Sequence, residues 1–335
     1  MSSLKFTKIF FDEPITEKET YFGITNDYIV GAGSMQGWRK SMEDAFAIAV
    51  TMPTDPQTSF LGVFDGHGGH VIADFLSKNI FNYIITDPAY LNGNVKTGIE
   101  NAFMRLDSYL MKDILFGKTE AGSTAVVVVI KDDTIYCANV GDSRAIAFAN
   151  NEVVPLSTDH KPMLPIERQR ILEAGCFINF DRVNGDLALS RAFGDFSYKK
   201  NKNKSVSEQA VISQPEVVKK TITQEWEFVV LACDGVWDVM TNEQVCRFIR
   251  MRIERNIKPD LICEQLLDEC LCKENPSARY IGTDNMTVII LVFLKNTRLR
   301  RYQGIEPRAS SLKYVCKDKL NLRRVRLLQA SNTRV

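Results

Sequence analysis

The sequence contains no apolar run long enough to cross a membrane. Its longest apolar runs, Val126–Ile130 and Val288–Leu294, are much shorter than the ~18 residues that a spanning helix needs. The first residues carry neither the apolar core of a secretion signal nor a glycine at position 2 for myristoylation. We therefore expect no transmembrane segment and a location in the cytoplasm, with the nucleus as a second compartment.

Histidine is scarce, with three residues in the whole chain, and none of the eight cysteines belongs to a Cys-x-x-Cys pair. A zinc site of the usual Cys/His type therefore lacks its ligands. The cysteines are scattered through mostly apolar segments and are expected to be reduced thiols.

The composition is that of an ordinary folded protein, with 45% hydrophobic and 25% charged residues, but the charge is unevenly distributed. Residues 296–335 contain eleven Lys/Arg and two acidic residues, a net charge of +9, so the preceding part carries −8. The sequence thus predicts an acidic body followed by a basic C-terminal extension. This extension could bind anionic lipid, nucleic acid or an acidic patch of its own body, or it could be a solvated tail.

Short apolar runs alternate with turn dipeptides, which is typical of antiparallel strands. Three such runs are expected to form a meander, and three further strands are predicted: Ala125–Ile130, Thr134–Val140 and Arg144–Ala149, then Phe60–Phe64, Phe228–Ala232 and Met286–Leu294. Helical spacing predicts four helices: over 72–84, over 99–110, one opened by a Thr241/Gln244 capping box, and one after Pro259 with Leu261, Ile262, Leu266 and Cys270 facing inward. This order favours an α+β fold of packed sheets covered by helices.

Four aspartates stand at the ends of predicted buried strands. Asp65, Asp142 and Asp234 each follow an apolar run beside a glycine, and Asp284 precedes one. If these strand ends share one rim, the carboxylates converge and need a cation, because like charges at close range raise one another's pKa. A donor set made only of oxygens favours Mg²⁺ or Mn²⁺, and several carboxylates could hold two ions. The alternative is four unrelated turns, since Asp-Gly is common turn chemistry.

Eight short motifs occur along residues 20–295. They are Gly33–Ala45 with its Arg-x-x-Met-Glu-Asp pattern, Val63–Gly69, Ala121–Thr124, Asn139–Arg144, Asp159–Pro162, Val183–Asp195, Leu231–Val239 and Gly282–Thr287. In this order they resemble the type 2C (PPM) family of metal-dependent protein serine/threonine phosphatases. The resemblance implies a catalytic domain over 20–295, built as two packed antiparallel β-sheets flanked by helices, an α-β-β-α sandwich. It also implies an irregular flap over about 160–219, whose lysine-rich loop, Ser197–Ala210, we expect to be mobile and to contribute to the choice of protein substrate.

By this resemblance, seven residues belong to a metal site. Asp65 would bridge two Mg²⁺ or Mn²⁺ ions, the Gly66 carbonyl would bind one of them, Asp234 and Asp284 would bind the other, Asp142 would hold a weaker third ion, and Glu43 and Asp44 would order metal-bound water.

Two further residues would act on the substrate. Arg39 carries a planar, permanently charged group that suits a phosphate dianion, and His67 is placed to protonate the departing serine oxygen. His70 is interpreted as the start of the following helix. The implied reaction is in-line attack of metal-activated water on phosphorus, without a covalent intermediate. Cys246 and Arg252 have the spacing of a cysteine-nucleophile loop but lie in a predicted helix, which argues against that class of phosphatase.

The implied partners are phosphoprotein substrates, and we expect a monomer. Two other interpretations remain: an inactive member of the same fold acting as a scaffold, and an acidic β-rich domain with a nucleic-acid-binding tail. The presence of every site residue named above favours the enzyme.

Overall fold

The structure of this protein is a computed structural model that describes residues 10–51, 55, 57–274 and 281–295. The predicted basic extension, residues 296–335, and the start of the chain lie outside the described residues. The seven described cysteines are all free thiols, as predicted.

Two antiparallel sheets form the centre of the fold. The first contains β1 (Phe10–Ile24), β2 (Tyr28–Arg39), β16 (Met286–Phe293), β15 (Trp226–Ala232), β9 (Arg144–Ala149) and β10 (Glu152–Pro155), in that spatial order. The second contains β14 (Glu216–Thr221), β8 (Thr134–Val140), β7 (Ala125–Lys131), β4 (Thr58–Phe64) and β3 (Ala45–Ala49).

Seven helices surround these sheets in the described part of the chain. They are α1 (Val71–Ile85), α2 (Pro88–Leu91), α3 (Val95–Lys112), α4 (Pro165–Glu173), α5 (Asp234–Trp237), α6 (Asn242–Ile253) and α7 (Pro259–Cys270). The predicted capping box is present at the start of α6, where the Thr241 hydroxyl accepts from the Gln244 N–H. None of the described helices is both long and apolar enough to cross a membrane.

Three apolar layers hold the sandwich together, and strand alternation explains them. In β4, Phe60 and Phe64 pack against α1 and α3, whereas Leu61 and Val63 pack against the other sheet. In β15, Phe228 faces the layer covered by α6 and α7. A strand buried on both faces has a continuous apolar sequence, which is why these strands could be predicted from the sequence. The predicted α-β-β-α sandwich is confirmed.

Two details of the sequence prediction are wrong. The runs 125–130, 134–140 and 144–149 do not form one meander, because β7 and β8 pair in the second sheet while β9 pairs with β15 and β10 in the first. The turn Gly141–Ser143 is therefore a crossing between sheets. In α7, Leu261 is 44% exposed and does not face the core.

Residues 160–219, the predicted flap, contain α4 and a short hairpin of β11 (Ile178–Asn179) and β12 (Arg182–Val183), and they reach into β14. Within the lysine-rich loop, the Lys199 ammonium is buried and lies 2.7 Å from the Asp107 carboxylate. This lysine is therefore committed to the fold, whereas Lys200 and Lys202 of the same loop are exposed, so the expected role of the loop in substrate choice stays a prediction.

Candidate active site

An open cleft of about 660 Å³ lies at the rim where the two sheets meet. The residues that follow β4, β8 and β15 and precede β16 line it, together with the end of β2 and part of the flap. The predicted site residues on its wall are Arg39, Glu43, Asp65, Gly66, His67, Asp142, Asp234 and Asp284. The fold therefore gathers side chains from positions 39 to 284, and Asp44 lies just behind them.

Three carboxylates form the floor of this cleft. One oxygen from each of Asp65, Asp142 and Asp234 lies within 4.8 Å of the other two. Desolvation, followed by the charge of neighbouring aspartates, raises the pKa of both Asp65 and Asp234 well above the usual range for Asp. Asp65 and Asp234 form no ion pair with any residue in the described part of the chain.

Asp284 lies at the edge of this cluster. Its charge raises the pKa of both Asp65 and Asp234, but one of its oxygens accepts a hydrogen bond from the Arg39 guanidinium at 2.5 Å. Its other oxygen accepts from the N–H of Asn285 at 2.8 Å. The predicted phosphate-binding arginine and a predicted metal ligand therefore neutralise each other here.

Glu43 and Asp44 take different positions. The Glu43 carboxylate accepts from the Ser41 hydroxyl at 2.7 Å and from the Gly69 N–H at 2.9 Å, so it braces the glycine-rich turn. Asp44 is buried, accepts from the Thr287 hydroxyl at 2.7 Å, and has an oxygen within 4.8 Å of Asp65. Asp44 thus approaches the cluster directly, whereas Glu43 shapes the loop around it.

His67 forms a short hydrogen bond that sequence reasoning did not predict. Its Nε2 lies 2.7 Å from an oxygen of Asp195, which is only 4% exposed. A small three-stranded sheet brings the two residues together. Its central strand β6 (Gly122–Ser123) pairs with β5 (Gly66–His67) on one side and with β13 (Phe193–Gly194), which Asp195 follows, on the other. Burial lowers the pKa of His67, but the hydrogen bond and charge of Asp195 outweigh it, so the pKa of His67 is raised.

Gly122 leaves the space that this pair occupies. A Cβ at this position would lie 2.2 Å from the Asp195 Oδ2 and 2.4 Å from the His67 Nε2, closer than atoms can approach. His70, by contrast, occupies the N-cap position of α1 and its side chain pairs with Asp74 on the surface, in agreement with its predicted place at the start of the helix.

Lys161 is the second residue that sequence reasoning missed. Its ammonium forms an ion pair with the Asp142 carboxylate, whose side chain is buried. Asp159–Pro162 was one of the matched motifs, but a lysine in a loop gives no local signal of its target. Asp195 likewise stood in a matched motif, and its left-handed backbone, at φ 50°, was not readable from the sequence.

The donor set of the cleft fits a divalent metal ion. The groups that converge at Asp65, Asp142 and Asp234 are all carboxylate oxygens, which hard cations such as Mg²⁺ and Mn²⁺ prefer. The nearest sulfur, of Cys233, accepts from the Thr287 N–H, and burial raises the pKa of this thiol well above the usual value. Sulfur is also a soft donor, and hard cations such as Mg²⁺ prefer the oxygens around it.

Comparison with known proteins gives one consistent family. The model of the family described as Protein phosphatase 2C matches residues 28–276. The chain is 43% identical over 282 residues to a probable protein phosphatase 2C of Caenorhabditis elegans, covering 84% of this chain and 79% of that protein. It is 40% identical over 305 residues to protein phosphatase 2C homolog 2 of Schizosaccharomyces pombe, covering 89% and 82%.

Solved structures agree with these sequence matches. The crystal structure of a phosphatase from Toxoplasma gondii superposes with a TM-score of 0.69 at 25% identity, covering 84% of this chain and 96% of that chain. The similarity therefore extends over the whole sandwich.

Proposed function

The chain belongs to the protein phosphatase 2C family and is a protein serine/threonine phosphatase, and we propose that its carboxylate-lined cleft hydrolyses phosphoserine and phosphothreonine with the help of Mg²⁺ or Mn²⁺. The observation that carries this proposal is the meeting of Asp65, Asp142 and Asp234 within 4.8 Å of one another. Three carboxylates at this distance repel strongly unless a cation lies among them.

The proposed metal ligands are Asp65, the Gly66 carbonyl, Asp234 and Asp284, with Asp142 for a further ion. Asp44 supports them through its position next to Asp65 and its hydrogen bond from Thr287. When bound, such ions activate water and neutralise charge on a phosphoryl group.

Arg39 is proposed to orient the phosphate. Its side chain is 44% exposed at the cleft wall, and only one hydrogen bond of its guanidinium goes to Asp284. The guanidinium fork has five N–H donors, so others can point to the phosphate oxygens. Pairing with Asp284 also fixes the side chain at the cleft, which reduces the entropy lost when the phosphate binds.

His67 is proposed to deliver a proton to the departing serine or threonine oxygen. Since Nε2 is engaged with Asp195, the proton available for transfer is the one on Nδ1, which forms no hydrogen bond with any residue in the described ranges. The Asp195 carboxylate favours the imidazolium form that carries this proton. The alkoxide of serine is a poor leaving group without protonation, so this step is required for protein substrates.

The test measures phosphate release from matched phosphothreonine and phosphotyrosine peptides. We expect turnover of the phosphothreonine peptide to stop with EDTA and to return with Mg²⁺ or Mn²⁺, and to exceed turnover of the phosphotyrosine peptide. Asp65→Asn should abolish activity, whereas Asp132→Asn, in the exposed turn between β7 and β8, should not. Turnover that resists the chelator would contradict the metal proposal.

The same experiment separates the second candidate, a catalytically inactive scaffold, which would bind phosphopeptides without releasing phosphate at any metal concentration. We further propose that the enzyme acts as a monomer, in the cytoplasm and also in the nucleus. Light scattering of the purified full chain and imaging of a tagged chain in cells test these two points.

A further inference from the structure

We propose that the basic segment 296–335 docks back onto its own chain along the free edge of β1. Within the described residues, β1 is the outermost strand of the six-stranded sheet and pairs only with β2. An outer strand presents backbone N–H and C=O groups that can pair with another extended segment. Two register shifts interrupt the pairing of β1 with β2 before Lys18, so the regular part of the strand, Lys18–Ile24, offers about 23 Å of continuous edge.

The edge is acidic and its charge is not balanced locally. Glu13, Glu17 and Glu19 are exposed and have no ion-pair partner in the part of the chain that the structure describes. The nearby Lys18 does not neutralise them, because its ammonium lies 2.6 Å from Asp268 of α7. Lys18 lies on the α7 side, and Glu19, which follows it in the regular part of the strand, lies on the other side, whereas Glu17 belongs to the irregular stretch before Lys18.

The segment leaves the described structure beside the end of this edge. After β16, the Leu294 N–H donates to the Asp27 carbonyl at 2.8 Å, and the Lys295 ammonium lies 3.4 Å from the Asp27 carboxylate. Asp27 belongs to the turn between β1 and β2. The exit point is therefore about two strand spacings, or roughly 10 Å, from the last residues of β1.

The length and charge of the segment suit this surface. About five extended residues are enough to pass β2 and β1, so about 35 of the 40 residues remain, more than the 15 residues of β1 require. The segment carries +9, with six basic residues between Lys313 and Arg326. A single surface ion pair is weak, but a tethered segment meets its target at a millimolar effective concentration, so several weak pairs can hold it.

Limited trypsin digestion of the full chain tests the proposal. Mass spectrometry follows cleavage after Arg323, Arg324 and Arg326 at low salt. The test variant is Glu17→Gln with Glu19→Gln, which removes two edge charges without creating trypsin sites. The matched control is Glu152→Gln with Glu225→Gln, which removes two exposed charges near the opposite edge of the same sheet.

We expect cleavage of the segment to be about threefold or more faster in the edge variant than in the wild type and the control. The difference should disappear near 1 M NaCl, where the Debye length is ~3 Å. Carbodiimide cross-linking of the wild type should join segment lysines to β1 glutamates within monomers. Equal cleavage in all three proteins would overturn the proposal. So would cross-links found only between two chains, or protection that appears only after adding RNA or phosphatidylserine vesicles.

Discussion

Asp195→Asn should separate the chemistry of protein substrates from that of activated esters. Asp195 is 4% exposed, and its carboxylate lies 2.7 Å from the His67 Nε2. Asparagine keeps the size of the side chain and tolerates the left-handed backbone at this position. The substitution therefore removes the charge beside His67 while preserving the shape of the site.

The expected loss follows from the two opposing effects on the His67 pKa. Burial lowers this pKa, and the Asp195 hydrogen bond and charge raise it above the ordinary value for histidine. A raised pKa keeps the His67 imidazole protonated up to a higher pH. Loss of the Asp195 carboxylate should therefore make His67 lose its proton at a lower pH. General acid catalysis contributes typically 10²–10⁴-fold, so we expect kcat on a phosphothreonine peptide to fall by about 100-fold at pH 7.5.

The assay compares this peptide with p-nitrophenyl phosphate, whose leaving group departs without protonation. For the second substrate we expect a change of less than about threefold, since the metal and phosphate-binding residues are untouched. Asp181→Asn, in the flap and also in the left-handed region, is the matched control. Equal losses on the two substrates, or no loss on either, would refute the role of Asp195 in supporting the general acid.

Three further predictions concern the cleft and the flap. In EDTA, Asp234→Asn should raise the melting temperature by a few degrees. The pKa of this carboxyl is raised, so its charged form destabilises the fold, and asparagine removes that charge. Differential scanning fluorimetry should also show that Mn²⁺ does not stabilise the variant. Gly122→Ala should reduce peptide turnover about tenfold or more, because the added Cβ displaces His67. The thermal shift induced by Mn²⁺ should not change. Normal peptide turnover would refute the clash between this Cβ and His67. Burial alone would raise the pKa of Glu167, but the hydrogen bonds from Arg191 and Arg170 outweigh this effect and lower the pKa to about 2. These contacts therefore stabilise the fold fully above pH 4.5, and the stabilisation is lost as the pH falls towards 2. Glu167→Gln should cost about 3 kcal/mol in urea unfolding at pH 7, and an unchanged midpoint would contradict this.

The acidic rim was predictable because Asp65, Asp142 and Asp234 are each tied to a local signal in the sequence. An apolar run that ends at Asp-Gly predicts a buried strand followed by a turn. The antiparallel strands of a sandwich bring such strand ends together. Asp65 and Asp234 were identified in this way. Asp44 was predicted only through the family resemblance, and its approach to Asp65 depends on the pairing of β3 with β4, which no local pattern specifies.

The partners of the catalytic groups were not predictable for the same reason. Asp195 and His67 are 128 residues apart, and they meet only because β6 pairs with both β5 and β13. Strands of two residues are too short to give a periodic signal in the sequence. The crossing at Gly141–Ser143 was missed because an apolar run followed by Gly-Asp-Ser has the same pattern whether the chain forms a hairpin or passes to the other sheet.

The distribution of cationic side chains around the cleft leaves its central carboxylates uncompensated, which supports the proposed metal site. Arg39 neutralises Asp284 at one side, and Lys161 neutralises Asp142 at the other. Asp65 and Asp234 remain between them without a basic partner in the described ranges. A third basic side chain would relieve this repulsion, but it would also fill the centre of the cleft, where we propose that the phosphoryl group binds. The chain balances the outer carboxylates with its own residues, and under the proposed function an exchangeable cation compensates the inner pair.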